Sequence, residues 1–217
     1  MIMLMTACAI LAVDFHAFPR RYAKTETYGI SLMDLGVGGA VFSSGLVAGA
    51  PSKLAKAPKA GDLWAAPVLI ALGLGRVVTV KATNYVEHAS EYGVHWNFFF
   101  TLAVVTFAHT LLRATTRAIG IKITSILLFV LASTLAAAQH YLLTVRGFQA
   151  WVMADGARDN IIDANREGLV SMLGYCAIFE IGCCTGSVCL GLNADTSGDG
   201  RSSSNGQSEP PPFLLPD

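Results

Sequence analysis

Charge is the scarcest ingredient of this chain. Asp, Glu, Lys and Arg make up 14% of its 217 residues, against about 25% in ordinary soluble domains. The two signs balance at 15 each, so nothing in the bulk charge draws the chain to nucleic acid or to acidic substrates. Amphipathic patterning is also short, because the apolar residues come in blocks rather than in stripes at helical spacing. The chain opens at Met1 straight into an apolar run, without the basic stretch and cleavage site of a signal peptide. We read that run as the end of a helix whose beginning is missing. The five cysteines form no disulfide framework: Cys8 stands alone, while Cys176, Cys183, Cys184 and Cys189 crowd one apolar run, where free cysteine reads as a small buried hydrophobe. That run holds no histidine. Glu87, His88 and Glu91 lack the His-Glu-x-x-His spacing of a zinc motif. The expectation is therefore no metal and no cofactor.

What the chain has in quantity is hydrocarbon, at a mean hydropathy of +0.52. Six apolar stretches cover Met1 to Val13, Ile30 to Ala50, Leu63 to Val80, Trp96 to Leu112, Ile119 to Ala138 and Gly168 to Leu192. A spanning helix needs about 20 residues, so the predicted fold is an all-α polytopic transmembrane bundle of about six segments over residues 1–192. Asp34, Arg76, His109 and Glu180 interrupt the runs and are expected to face the bundle interior, Asp34 pairing with Arg76. Lys122, near the start of the fifth run, can snorkel to the interface. Residues 193–217, rich in Ser, Gly, Asn and Pro, read as a flexible polar tail. The chain is read as cut short at both ends.

If every run spans, alternate connections share a side. Asp14 to Gly29, Lys81 to His95 and Gln139 to Glu167 then lie on one face. Pro51 to Asp62 and Arg113 to Ala118 lie on the other, where Lys53, Lys56 and Lys59 read as a solvated connection without a chemical constellation. The run from Val13 to Lys24 packs Asp14, His16, Arg20, Arg21 and Lys24 between two apolar stretches. Taken alone, its plainest account is a helix-end salt bridge at the water boundary.

Three segments change that account. Phe18-Pro19-Arg20-Arg21-Tyr22-Ala23-Lys24-Thr25-Glu26-Thr27-Tyr28-Gly29, followed by Ser31-Leu32-Met33-Asp34-Leu35-Gly36, resembles the inositol acyltransferases of glycosylphosphatidylinositol (GPI) anchor biosynthesis. Glu87-His88 with Glu91-Tyr92-Gly93-Val94-His95-Trp96-Asn97-Phe98-Phe99-Phe100, and Asn165-Arg166-Glu167-Gly168 with Gly174-Tyr175, follow in the same order. The resemblance implies a multi-pass enzyme of the endoplasmic-reticulum membrane, of which this chain is a middle portion. It would move a fatty acyl chain from acyl-CoA to an inositol hydroxyl of glucosaminyl-phosphatidylinositol.

Such chemistry needs a base for the hydroxyl, donors for the thioester oxyanion and an apolar channel for the tail. The resemblance nominates Asp14 as base and Lys24 as its orienting or charge-stabilising partner. His95 is the rival base: an imidazole near pKa 6.5 suits proton transfer at neutral pH, whereas a nearby lysine depresses an aspartate already near 3.9. Arg20 and Arg21 match phosphate oxygens, and Glu91, Trp96, Asn97 and Arg166 complete the substrate-binding candidates. One departure stands at His16-Ala17, where the family carries a proline; its loss is expected to loosen the turn beside Asp14. Two other classes stay open. One is a transporter with Asp14, Lys24, Glu91 and His95 as a relay, although no internal repeat is found; the other is an inactive membrane fragment.

Overall fold

The computed structural model describes residues 2–13, 15–19, 35–83, 92–154 and 158–199. Every regular element among them is helical: α1 (Ile2–Ala12), α2 (Leu35–Ala48), α3 (Pro51–Leu54), α4 (Ala60–Ala82), α5 (Phe98–Ala118), α6 (Ser125–Thr144), α7 (Phe148–Val152), α8 (Ile161–Ala164) and α9 (Arg166–Asp199). Helices α4, α5, α6 and the Arg166–Gly191 part of α9 are long and apolar enough to cross a membrane. The protein is a polytopic membrane bundle. Of the six expected spans, α1 and α2 are short in their described extent: their 11 and 14 residues reach only about 17 and 21 Å, against a hydrocarbon core near 30 Å.

Boundaries move where local chemistry decides. Arg113 to Ala118, expected as a connection, is the last turn and a half of α5, because no breaker intervenes before Gly120, whose φ is +76°. The Thr116 hydroxyl returns a bond to the Leu112 carbonyl there. The next helix starts at Ser125 rather than Ile119, where Thr124 caps it by accepting from the Leu127 amide at 3.2 Å. It then runs past Ala138 to Thr144. Helix α9 likewise passes the expected boundary at Leu192 and ends at Asp199.

Helix α9 is the hub, packing on α2, α5 and α6, while α4 packs on α5 and α1 on α2. Along the α2/α9 crossing the helices run parallel and nearly touch. Gly45 lies against Phe179, Gly49 against Cys183, Gly182 against Phe42 and Gly186 against Leu46, in each case against backbone. A Cβ on Gly45 would lie 3.0 Å from the Phe179 carbonyl carbon and 3.2 Å from its Cα. The two glycine pairs are each one turn apart on one helix face, the arrangement that lets membrane helices approach closely without a hydrophobic driving force. The buried core beside this seam is Val41, Val105, Leu128, Phe179 and Cys183.

Of the four charged or titratable residues expected inside the bundle, His109 and Glu180 are buried at 4% and 5% exposure. Arg76 is not: it stays on the exposed side of α4, where its long side chain can remain at a polar boundary. Its expected partner Asp34 lies outside the described residues. No disulfide forms among the five cysteines, and Cys183 is fully buried in the core.

Candidate functional site

Alternation of the spans brings the third and fifth connections to one end of the bundle, and hydrogen bonds join them there. The Val94 amide donates to the Ala164 carbonyl at 2.7 Å, and the Gly168 amide to the Tyr92 carbonyl at 3.1 Å. Asn165, between α8 and α9, accepts from the backbone amides of His95 at 2.9 Å and Trp96 at 2.8 Å with one oxygen, while its Nδ2 donates to the Ile161 carbonyl at 2.8 Å. Gly93 makes the turn, with φ at +103° and the Asn165 Cα 2.6 Å from where a Cβ would stand; a side chain fails there on both conformation and space. His95 thus sits half-buried on a loop clamped at both flanks.

The neighbours of His95 are anchors. Asn97 is fully buried; its oxygen caps α5 by accepting from Phe99 and Phe100, and its Nδ2 donates to the Gly73 carbonyl of α4 at 3.0 Å. Those bonds account for the side chain, so Asn97, expected to bind substrate, holds two helices together in this structure. Trp96 donates its indole N–H to Thr101 Oγ1 at 3.0 Å and packs its ring against Gly168. Arg166, also expected to meet substrate, is 4% exposed and donates to the Ala154 carbonyl. Its Nε lies 3.5 Å from Glu167, too far for a good hydrogen bond.

Glu167 is the partner that Arg166 shares with Arg158, whose guanidinium grips both carboxylate oxygens at 2.6 and 3.0 Å. This bidentate bond holds the Arg158 guanidinium more firmly charged, against some opposing desolvation. Two guanidiniums therefore share one carboxylate, which ties Arg158 to the start of α9. Nearby, the Tyr92 phenol is pushed well above the ordinary tyrosine range, first by burial and then by Tyr175, with Arg76 pulling the other way.

Of the remaining sequence candidates, Asp14, Lys24, Arg20, Arg21 and Glu91 lie outside the described residues. The turn after α1 is described at residues 15–19. It closes through Phe15 N to Ala12 O and Phe18 N to Phe15 O, both at 3.0 Å, without the missing proline. His16 on it is exposed. Helix α2 starts at the same end of the bundle as α9, since the two run parallel.

The opposite end holds a constellation that sequence reading passed over as a plain connection. Arg113 reaches from the last turns of α5 to the carbonyls of Lys53 and Lys56, at 2.7 and 2.9 Å, and to Asp62 at 3.2 Å. Behind it is a cavity of about 690 Å³ lined by Lys56, Arg113, Arg117 and Lys122 with Thr116, Ser125 and Ser187. A second, of about 510 Å³, has Lys53, Lys59 and Asp62 at its rim and His109 and Phe179 on its wall. The signal in the sequence was the set of cations at 53, 56, 59, 113, 117 and 122; what hid it was their division between two connections and the start of the fifth apolar run.

This chain matches the GWT1 family model over residues 1–209. It belongs to the GWT1 family. It is 46% identical over 190 residues to GPI-anchored wall transfer protein 1 of Schizosaccharomyces pombe, covering 87% of this chain and 39% of that relative. The Saccharomyces cerevisiae protein of the same name is 43% identical over 202 residues, with 87% and 39% covered. The glucosaminyl-phosphatidylinositol-acyltransferase PIGW of Bos taurus is 40% identical over 200 residues, with 83% and 36% covered. The chain thus spans about two fifths of the length of these GWT1-family relatives.

Proposed function

We propose that this GWT1-family chain is part of an enzyme of the endoplasmic-reticulum membrane that transfers a fatty acyl group from acyl-CoA to an inositol hydroxyl of glucosaminyl-phosphatidylinositol. The observation that carries the proposal is the 40% identity, over 83% of the chain, to a protein named for that acyl transfer. In the reaction a base takes the hydroxyl proton as the inositol oxygen attacks the thioester carbonyl. The tetrahedral intermediate expels the coenzyme A thiolate, which takes up a proton. Asp14 is our base and Lys24 the group that orients it or meets developing negative charge. His95, on its clamped loop, is the alternative base. The reaction so written uses no cofactor beyond the co-substrate.

Glu91, Trp96, Asn97 and Arg166 are proposed to act on substrate, the last three by shaping and holding the loop around His95, with Arg20 and Arg21 as direct phosphate contacts. The test is acyl-CoA-dependent inositol acylation by the full-length protein, with Asp14→Asn, Lys24→Met and His95→Ala beside it. Loss of product with Asp14→Asn and Lys24→Met, each with a normal expression level and unfolding profile, is the expected result. Unchanged turnover in either variant refutes the assignment, and unchanged turnover in His95→Ala removes the rival base.

A further inference from the structure

Charged and titratable side chains inside a bilayer-spanning bundle are costly unless each finds a partner. One such group lies halfway along this bundle, away from both polar ends. His109 on α5 places its Nδ1 3.0 Å from Glu180 Oε1 and 3.9 Å from Cys183 Sγ, both on α9. Glu180 and Cys183 share a face because residues three apart on a helix stack one above the other. All three residues are buried, and their ligating atoms lie within 4.8 Å of one another. The linear sequence concealed this, since the cysteine-rich run has no histidine of its own and the one it meets comes from a different helix.

The group is incompletely satisfied as it stands. His109 Nε2 and Glu180 Oε2 are both buried with no hydrogen-bond partner among the described residues. Phe179 covers the imidazole at a ring separation of 5.1 Å, so that side offers no polar substitute. The nearest cation along α5 is Arg113, one turn on, which is already held by Asp62 and two carbonyls.

We propose that His109, Glu180 and Cys183 form a binding site for a borderline-soft divalent metal ion of the zinc type. One imidazole nitrogen, one carboxylate oxygen and one thiolate is a donor set zinc accepts. With bonds of about 2.0–2.1 Å to nitrogen and oxygen and about 2.3 Å to sulfur, the edges of a tetrahedron around zinc measure about 3.3–3.6 Å. The two His109 separations, 3.0 and 3.9 Å, bracket those edges, and with all three donor atoms within 4.8 Å of one another, side-chain movements of about 1 Å seat the ion. Binding shifts the imidazole proton that Nδ1 shares with Glu180 to Nε2 and releases the thiol proton: the Cys183 S–H bond is replaced by a sulfur–metal bond and that proton leaves to solvent. The ion's two positive charges then meet one thiolate and one carboxylate, leaving a site with no net charge inside hydrocarbon. The cavity of about 510 Å³ that His109 and Phe179 line gives the ion a route in and room for a water as fourth ligand. The ion ties α5 to α9 and has no part in the acyl-transfer chemistry.

The test is metal content. The full chain is purified in detergent without chelators and analysed by mass spectrometry for metals, then exchanged with Co²⁺ and its near-ultraviolet spectrum read. About one zinc per chain, and a thiolate-to-cobalt charge-transfer band, are the expected results. The near-isosteric Cys183→Ser removes the band, and His109→Ala and Glu180→Gln lower the metal content severalfold. Wild-type protein that stays metal-free after incubation with Zn²⁺ overturns the proposal and leaves a simple His109–Glu180 hydrogen-bonded pair. Metal content equal in wild type and all three variants overturns it as well, by showing that the ion sits elsewhere.

Discussion

Replacing Asn165 by alanine tests how far the site depends on its clamp. Three hydrogen bonds vanish together: those from the His95 and Trp96 amides and that to the Ile161 carbonyl. Asn165 is 5% exposed, so water cannot readily replace them. With about 1 kcal/mol lost per bond and an extra penalty for each amide left buried without a partner, the expected cost is about 3–5 kcal/mol. Some of that is relieved by the loop moving, and a shift of order 1 Å at His95 lowers turnover by about 100-fold. Asn165→Asp separates the effects, because one carboxylate oxygen still accepts from both amides while the other, with no proton to give, turns from the Ile161 carbonyl. We expect it to cost about 1–2 kcal/mol and to keep most of the turnover. The assays are thermal unfolding in detergent and acyl-CoA-dependent acylation in the full-length protein. A folded Asn165→Ala enzyme with kcat within about twofold of wild type refutes the reasoning.

Other consequences are open to direct measurement. Gly45→Ala and Gly186→Ala each push a Cβ into the backbone of the facing helix, and each is expected to lower stability by about 1–3 kcal/mol, seen as a reduced Tm; an unchanged Tm in both removes the tight seam. Arg113→Lys loses the fork that spans two carbonyls and Asp62, so the α3 connection is expected to become more accessible to proteolysis while the bundle stays folded. Equal cleavage rates in the variant and wild type count against that anchor. Tyr92 is an acid whose folded pKa is raised, so its contribution to stability is complete below the unfolded value near 10 and declines as pH rises above it. Tm is expected to fall with pH above that point, and to fall less steeply in Tyr92→Phe; parallel profiles contradict the assignment.

The hydropathy blocks alone were enough to reveal the four long helices, because a bilayer demands long apolar runs and little else satisfies that demand. Helix ends were less legible. Arg113 and Arg117 look like connection residues by charge, yet remain on α5 because Ala114, Thr115 and Thr116 between them do not break a helix and the first breaker is Gly120. The clamp was half legible: resemblance pointed to Trp96, Asn97 and Arg166, while only the fold shows that Asn97 caps a helix and that Asn165, one residue outside the nominated set, makes the decisive bonds. Asn165 lies within the matching segment, but a sequence does not reveal that one oxygen faces two amides about seventy residues away. His109 meeting Glu180 and Cys183 was equally hidden, being a contact between helices with no local signature.

Helix α9 is, in effect, a measuring rod. Its 26 residues from Arg166 to Gly191 extend about 39 Å, more than the hydrocarbon core they cross. One end begins at the clamp beneath His95, the middle faces His109, and Ser187 near the far end bonds Ser125 at the wall of the cationic cavity. The glycine seam with α2 leaves almost no room for sideways displacement, so the freedom that remains is along the axis. Whatever fills the cavity at one water boundary and whatever meets the loop at the other press on the same stiff body.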